Sequence, residues 1–304
     1  ERLSSEMDFD RHAQAACQFP LHIANKLGFE LYLSEACPEG GFLFQVAHDK
    51  TGWQFLSGAK EDTEPKLFER APWKQVRQLC AQTDDPQSVI YHSIKELWFE
   101  FDADHYQQST PDLFMVGEMN AGHTNVTPAY IQELHSILRG NDKFVGAKLL
   151  QSCISALPDQ GSVALGFMLA RSQKGVRLAL HVPGQLAGIY PYLEQIGWPG
   201  SGQDLAVQTS WLENYAQHFV LQIDVAEEIG KRISVEFYPR ARWGDNLWGE
   251  ILHDLERRGL CQPRRRDALL SFPGGSQELM EMPLTLLRTI NHAKLVYQQG
   301  LPIQ

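Results

Sequence analysis

The segment Ile94 to Asp104, IKELWFEFDAD, alternates carboxylates with aromatic and aliphatic side chains. In an extended chain successive side chains point to opposite sides, so Glu96, Trp98, Glu100 and Asp102 share one face and Leu97, Phe99 and Phe101 the other. A carboxylate beside an indole is what a general base needs against an aromatic substrate. Glu100 would accept or steer the proton released when an indole or phenol is alkylated, an assistance of about 10²- to 10⁴-fold, while Trp98 stacks on the acceptor. The competing reading pairs Glu100 with an arginine across the fold and makes it structural.

The same two-residue alternation recurs in four later segments. VRLALHVP sets Val176, Leu178, Leu180 and Val182 against Arg177, Ala179 and His181, and RISVEFYP sets Ile233, Val235 and Phe237 against Arg232, Ser234, Glu236 and Tyr238. FVLQIDV offers Gln222 and Asp224 to the polar side, and His292 and Lys294 alternate with Ala293 and Leu295. Arg177, Arg232 and Lys294 therefore come from three strand pairs and share the polar class, with the Tyr238 hydroxyl as a further donor. Together they would suit a diphosphate, which carries about three negative charges and is held by charge-assisted bonds where no Asp-rich metal motif is present. The opposing reading pairs these cations with Glu118, Asp224 or Glu236 and leaves the face near neutral. His181 and His292 read either as wall residues or as catalysts.

Other motifs are weaker. Asp102-x-Asp104 at a strand end could bind a divalent ion in a glycosyltransferase, but a solvated strand end has the same spacing. GxxxxGK[ST], GxGxxG, HExxH and GxSxG do not occur, which removes the commonest phosphate-loop, dinucleotide, zinc-protease and hydrolase hypotheses. No motif indicates a cofactor; a need for magnesium is left open. Arg264, Arg265 and Arg266 follow Pro263 at a helix start and should fan out into solvent. Tyr238 to Trp248, YPRARWGDNLW, reads as an aromatic rim for an acceptor or as a helix-docking loop.

The chain has 304 residues, 27 Lys and Arg against 37 Asp and Glu, and a net charge of −10, a balance that repels phosphate backbones and argues against nucleic-acid and anionic-membrane partners. Five widely spread cysteines with no CxxC pair read as reduced thiols. No apolar run reaches the ~18 to 20 residues of a membrane helix, and the opening lacks a signal-peptide layout, so a cytoplasmic location is expected.

Spacing and turn signals predict helices over 10–27, 66–82, 184–196 and 204–217, with Thr127 capping a further helix that starts at Pro128. Strands are predicted for GFELYLSEA, GGFLFQVAHD, TGWQFLSG and the alternating segments. The order repeats as helix, strand, strand, helix with no linker, which implies a single domain over 1–304, of α+β class. Strands this polar on one side do not suit a parallel sheet covered on both faces. Two architectures are left: ten antiparallel strands closed into a barrel with a polar lumen, or an open sheet with its polar face in water.

Five αββα units over about 300 residues, with a polar strand face, resemble the ABBA or PT-barrel family of soluble aromatic prenyltransferases. The resemblance covers the whole chain but rests on element order. It implies an isoprenoid diphosphate donor bound by Lys, Arg and Tyr on strands, and an aromatic small molecule or peptide side chain as acceptor. This chain departs from that pattern in the acids of its polar class, Glu96, Glu100, Glu118, Asp224 and Glu236. The alternative is a peptide- or metabolite-binding barrel of natural-product maturation, with the acids receiving a cationic group. Across both readings the candidate site is Glu100 as base with Trp98, Arg177, His181, Arg232, Glu236, Tyr238 and Lys294 as binding residues.

Overall fold

The computed structural model describes residues 9–34, 40–60, 68–102, 110–120, 126–140, 143–157, 162–171, 175–183, 186–240, 246–278 and 284–303. Helix α1 (Phe9–Ala16) precedes strands β1 (Lys26–Glu30) and β2 (Gly41–Ala47); α2 (Thr51–Ser57) and α3 (Trp73–Asp84) precede β3 (Ile94–Asp102) and β4 (Asp112–Asn120). Next come α4 (Pro128–Arg139), α5 (Ala147–Ser155), β5 (Ser162–Phe167) and β6 (Val176–Pro183), then α6 (Ile189–Gln195), α7 (Gly202–Thr209), β7 (Ala216–Val225) and β8 (Ile229–Pro239). The last group is α8 (Leu247–Arg257), α9 (Pro263–Leu270), β9 (Gly274–Glu278), β10 (Leu284–Arg288) and β11 (Ala293–Gln298). Local chemistry sets several ends: the Thr127 hydroxyl accepts from the Tyr130 N–H at 3.1 Å with Pro128 in the first turn of α4, and Ser201 does the same for Asp204 at the start of α7.

Among the described residues nine strands form one sheet in the order β1-β2-β3-β4-β5-β6-β7-β8-β11, while β9 and β10 pair with each other as a separate two-stranded sheet. All neighbours in the large sheet are antiparallel. Leu97, Phe99, Val176, Leu178, Val235 and Phe237 are all buried in the principal core beneath the helices, so period-two alternation assigns the covered face correctly. Around α3 this core is an aromatic column: Trp73 stacks on Phe99 at 5.3 Å, Phe99 on Phe44 at 4.8 Å, and Phe42 on Phe101 at 4.6 Å. Each such ring contributes roughly 1.5 to 3 kcal/mol by burial, and well-placed pairs add about 0.5 to 1.5 kcal/mol.

The sheet curls into a half-barrel with its polar alternation class on the concave side. In a flat sheet β1 and β11 would lie eight strand spacings apart, about 38 Å. Lys294 on β11 nevertheless reaches Glu30 on β1 at 3.4 Å. Curvature of that degree brings every strand's inward residues toward one volume.

Several expectations need correction. TGWQFLSG is helix α2, because Trp53 and Leu56, three residues apart, both bury against the core and Gly58, at φ 79°, closes the helix in the left-handed region. The first helix stops at Ala16 and residue 26 already begins β1; of the helices expected over 184–196 and 66–82, residues 184–185 and 66–67 lie outside the described residues, a 3-10 turn covers Leu186–Gly188, and the α-helices run Ile189–Gln195 and Trp73–Asp84. The fifth strand pair is replaced by β11 joining β8, with β9 and β10 standing apart. Arg265 is not solvated: it is buried, donating to the Tyr32 carbonyl, and Arg266 pairs with Glu256 and Asp267. Asp104, the Glu118 side chain and residues 241–245 of the aromatic rim lie outside the described residues.

Candidate functional site

Register assembles the concave face row by row. Lys26, Gln45, Trp98, Phe114, Gly166, Arg177 and Asp224 are consecutive partners across β1 to β7. The row two residues along runs from Glu96 through Val116, Ala164 and Ala179 to Gln222 and Ser234. The middle of this face is thus apolar: Phe114, Ala164, Met168, Ala179 and Val220 form a cluster separate from the main core, with Trp98, Val116 and Tyr238 packed against it. Gly166 makes room for it, since a Cβ there would stand 2.6 Å from the Phe114 ring. The alternation that marks this face as polar misses that floor, because alanines and one phenylalanine occupy polar-class positions.

Charge surrounds the floor. Arg177 holds Asp224 through two bonds, Nε to Oδ1 at 2.7 Å and a second nitrogen to Oδ2 at 3.1 Å. Arg171, just past β5, bridges Asp102 at 2.8 Å and Asp112 at 2.9 Å. Lys294 stands 3.4 Å from both Glu30 and Glu236. Burial pushes the Lys294 ammonium down, but Glu30, Glu236 and Glu100 outweigh that and hold it charged well above its ordinary value. Lys294 in turn holds Glu30 below the usual carboxylate range.

Glu236 is fully occupied. It accepts from Gln222 at 2.5 Å and Tyr238 at 3.1 Å besides facing Lys294, and Ser234 donates to Gln222 at 3.1 Å. Tyr238 is sandwiched between His218, ring centroids 4.2 Å apart, and His292 at 4.8 Å. Burial lowers His218 and His181 toward the neutral imidazole, with Glu236 opposing the shift at His181 and His181 and His292 reinforcing it at His218.

Glu100 differs from these groups. No hydrogen bond or ion pair reaches its carboxyl among the described residues. Burial, then Glu30 and Glu236, outweigh Lys294 and Arg177 and push its pKa up to about 8. It is a protonated carboxyl at neutral pH, next to the Trp98 row and within the field of four charged neighbours.

Of the residues singled out from the sequence, Glu100, Arg177, Glu236 and Lys294 converge. Trp98 lies on the row adjoining that of Glu100, His181 shares the row of Glu236 and Lys294 through Val220, and Tyr238 and His292 line the end beyond Glu236. Arg232 does not join them: it is exposed, opposite Gln298. The opposing reading of the cations describes Arg177 and Lys294, because each is bound to wall carboxylates. Sequence reasoning misses Glu30, Asp112, Arg171 and His218. Glu30 alternates with Gly28 and Lys26 and is legible by the same rule; Arg171 follows a strand end, where period two carries no information.

Elsewhere, an open groove of about 750 Å³ on the outer surface, lined by Tyr215, Asn246, His253, Glu256, Arg257 and Arg266 among others, carries both signs of charge. Among the described residues no helix is long and apolar enough to cross a membrane. Protein-family models, curated proteins and solved structures offer no match to this chain.

Proposed function

We propose that the concave face is a binding chamber for a positively charged group, carried by a small molecule or a peptide side chain and flanked by the aromatic surfaces of Trp98 and Phe114. The observation that carries this reading is the ion balance. Arg177 is bound by Asp224 and Lys294 by Glu30 and Glu236, while Arg171 faces both Asp102 and Asp112. With Glu96 and with Lys26, whose ammonium stands 5.7 Å from the centre of the Trp98 ring, six carboxylates stand against four cations on this face, before Glu100 is counted. An entering cation meets a negative field, and Glu100 can give up its proton to form a charge-assisted bond with it. A diphosphate meets the same field as repulsion, with Arg177 and Lys294 already engaged and Arg232 outside the group. Full closure of the half-barrel belongs to this reading, since a completed wall excludes water and strengthens each pair inside.

A second reading is prenyl transfer from an isoprenoid diphosphate to an aromatic acceptor, favoured by Glu100 alone: a carboxyl with a pKa of about 8, two residues from Trp98, suits a general base. A thermal-shift screen separates the two. Tryptamine and acetyl-argininamide are expected to raise the melting temperature, a ligand at 100 times its dissociation constant adding about 2.7 kcal/mol, while dimethylallyl diphosphate leaves it unchanged. Stabilisation by the diphosphate and not by the cations overturns the chamber reading in favour of transfer.

A further inference from the structure

Among the described residues, the hydrogen-bonded order of the sheet ends at β1 on one side and β11 on the other. Because each neighbour is antiparallel and the strands number nine, β1 and β11 run in the same direction. They cannot close on each other as an antiparallel pair. One further strand running opposite to both can pair with each edge and complete the wall.

We propose that the seam between β1 and β11 accepts an extended peptide that presents a basic side chain to the concave face. This inference rests on the chamber reading above and names its ligand class. Three observations support it. Lys294 and Glu30 meet by their side-chain tips, at 3.4 Å, from strands that exchange no ladder bonds among the described residues; two long side chains meeting tip to tip can bridge the width a further strand would take, about 10 Å between its two neighbours. On the outer side Leu27 of β1 is 47% exposed beside half-buried Phe29, so apolar surface at that edge lacks full cover. On the inner side, alternate residues of an inserted strand point at the face that holds Glu30, Glu100 and Glu236, three carboxyl groups against Lys294 and Lys26, so that a basic side chain is the complement once Glu100 gives up its proton to it. Strand addition of this kind takes its affinity from main-chain bonds and its specificity from alternate side chains.

The test uses the intact protein and fluorescein-labelled heptapeptides of the pattern Val-Thr-Val-Lys-Val-Thr-Val, which puts Lys and Thr on one face and Val on the other. A second peptide carries Glu in place of the central Lys, and a third keeps Lys but has alternate backbone amides N-methylated. Fluorescence anisotropy and hydrogen exchange are read together. The expected result is that the Lys peptide binds, both altered peptides bind at least about tenfold more weakly, and amides of residues 26–30 and 293–298 gain protection. Equal affinity for the Glu or the N-methylated peptide overturns the proposal. So does protection of both edges before any peptide is added, which would mean the chain's own residues occupy the seam, or no binding at about 1 mM. Tryptamine stabilisation measured alongside distinguishes the two levels: if tryptamine stabilises and no peptide binds, the seam fails and the chamber stands. If tryptamine has no effect, the chamber reading itself fails.

Discussion

Lys294 stands 3.4 Å from Glu30, tying the last strand of the sheet to the first across 264 residues of sequence. A second contact at 3.4 Å ties the same ammonium to Glu236 on the neighbouring strand β8. One cation thus bridges two carboxylates that the curl of the sheet forces together, and its loss would leave both without compensation.

Lys294→Met removes the charge and keeps the length of the side chain. Because a broken, partly buried ion pair leaves its partners uncompensated, the variant should lose roughly 2 to 4 kcal/mol in urea unfolding. Adding Glu30→Gln should recover part of that loss. A single variant as stable as the parent would show that the contact carries no weight in the fold.

Glu100 makes stability fall as pH rises. Its pKa is about 8 in the folded chain against an ordinary 4.5, so between those values the native state keeps a proton that the unfolded chain has released, and raising the pH favours unfolding. With the half-buried carboxyl discounted for solvent, the loss across that window is roughly 1 to 3 kcal/mol. Glu100→Gln should match the parent near pH 4.5 and exceed it at pH 8, measured by denaturant midpoints at both values. A variant that tracks the parent at each pH would contradict the raised pKa.

Arg177→Ala would leave Asp224 without its two guanidinium bonds. A cost of roughly 2 to 4 kcal/mol is expected, recovered in part by the double variant with Asp224→Ala. Arg177→Lys should not restore the parent value, since a point charge cannot supply the two parallel bonds. Full rescue by lysine would reduce the pair to simple charge.

Gly166→Val directs a side chain at the Phe114 ring, because a Cβ at residue 166 stands 2.6 Å from that ring. The ring has to swing into the chamber, at a cost of about 1 to 3 kcal/mol. Calorimetric titration with tryptamine should show affinity reduced about tenfold, with the fold intact by circular dichroism. Unchanged affinity would separate the Phe114 floor from the binding surface.

Much of this arrangement is legible in the residues themselves. Period-two alternation puts Leu97, Phe99, Val176 and Leu178 under the helices and Glu100, Arg177 and Lys294 on the other face, because a strand has no other way to present its side chains. Thr127 and Pro128 mark the start of α4 through the capping oxygen and the missing N–H. The helical state of residues 51–57 is not legible: a seven-residue segment containing Trp, Phe and Leu suits either state, and the burial of Trp53 and Leu56 against the core decides it.

Sequence determined which side of each strand each residue occupies, and with it the chemical types available to the concave face. Tertiary structure decided which of them meet. That β11 pairs with β8 while β9 and β10 stand apart, that Arg177 is bound by Asp224, and that Glu30 reaches Lys294 all depend on strand order and curl. Alternation is a property of one strand and is set by its local backbone geometry. Curvature is a property of nine strands packed against their helices, so the distance between the first and the last exists only once the whole sheet has formed.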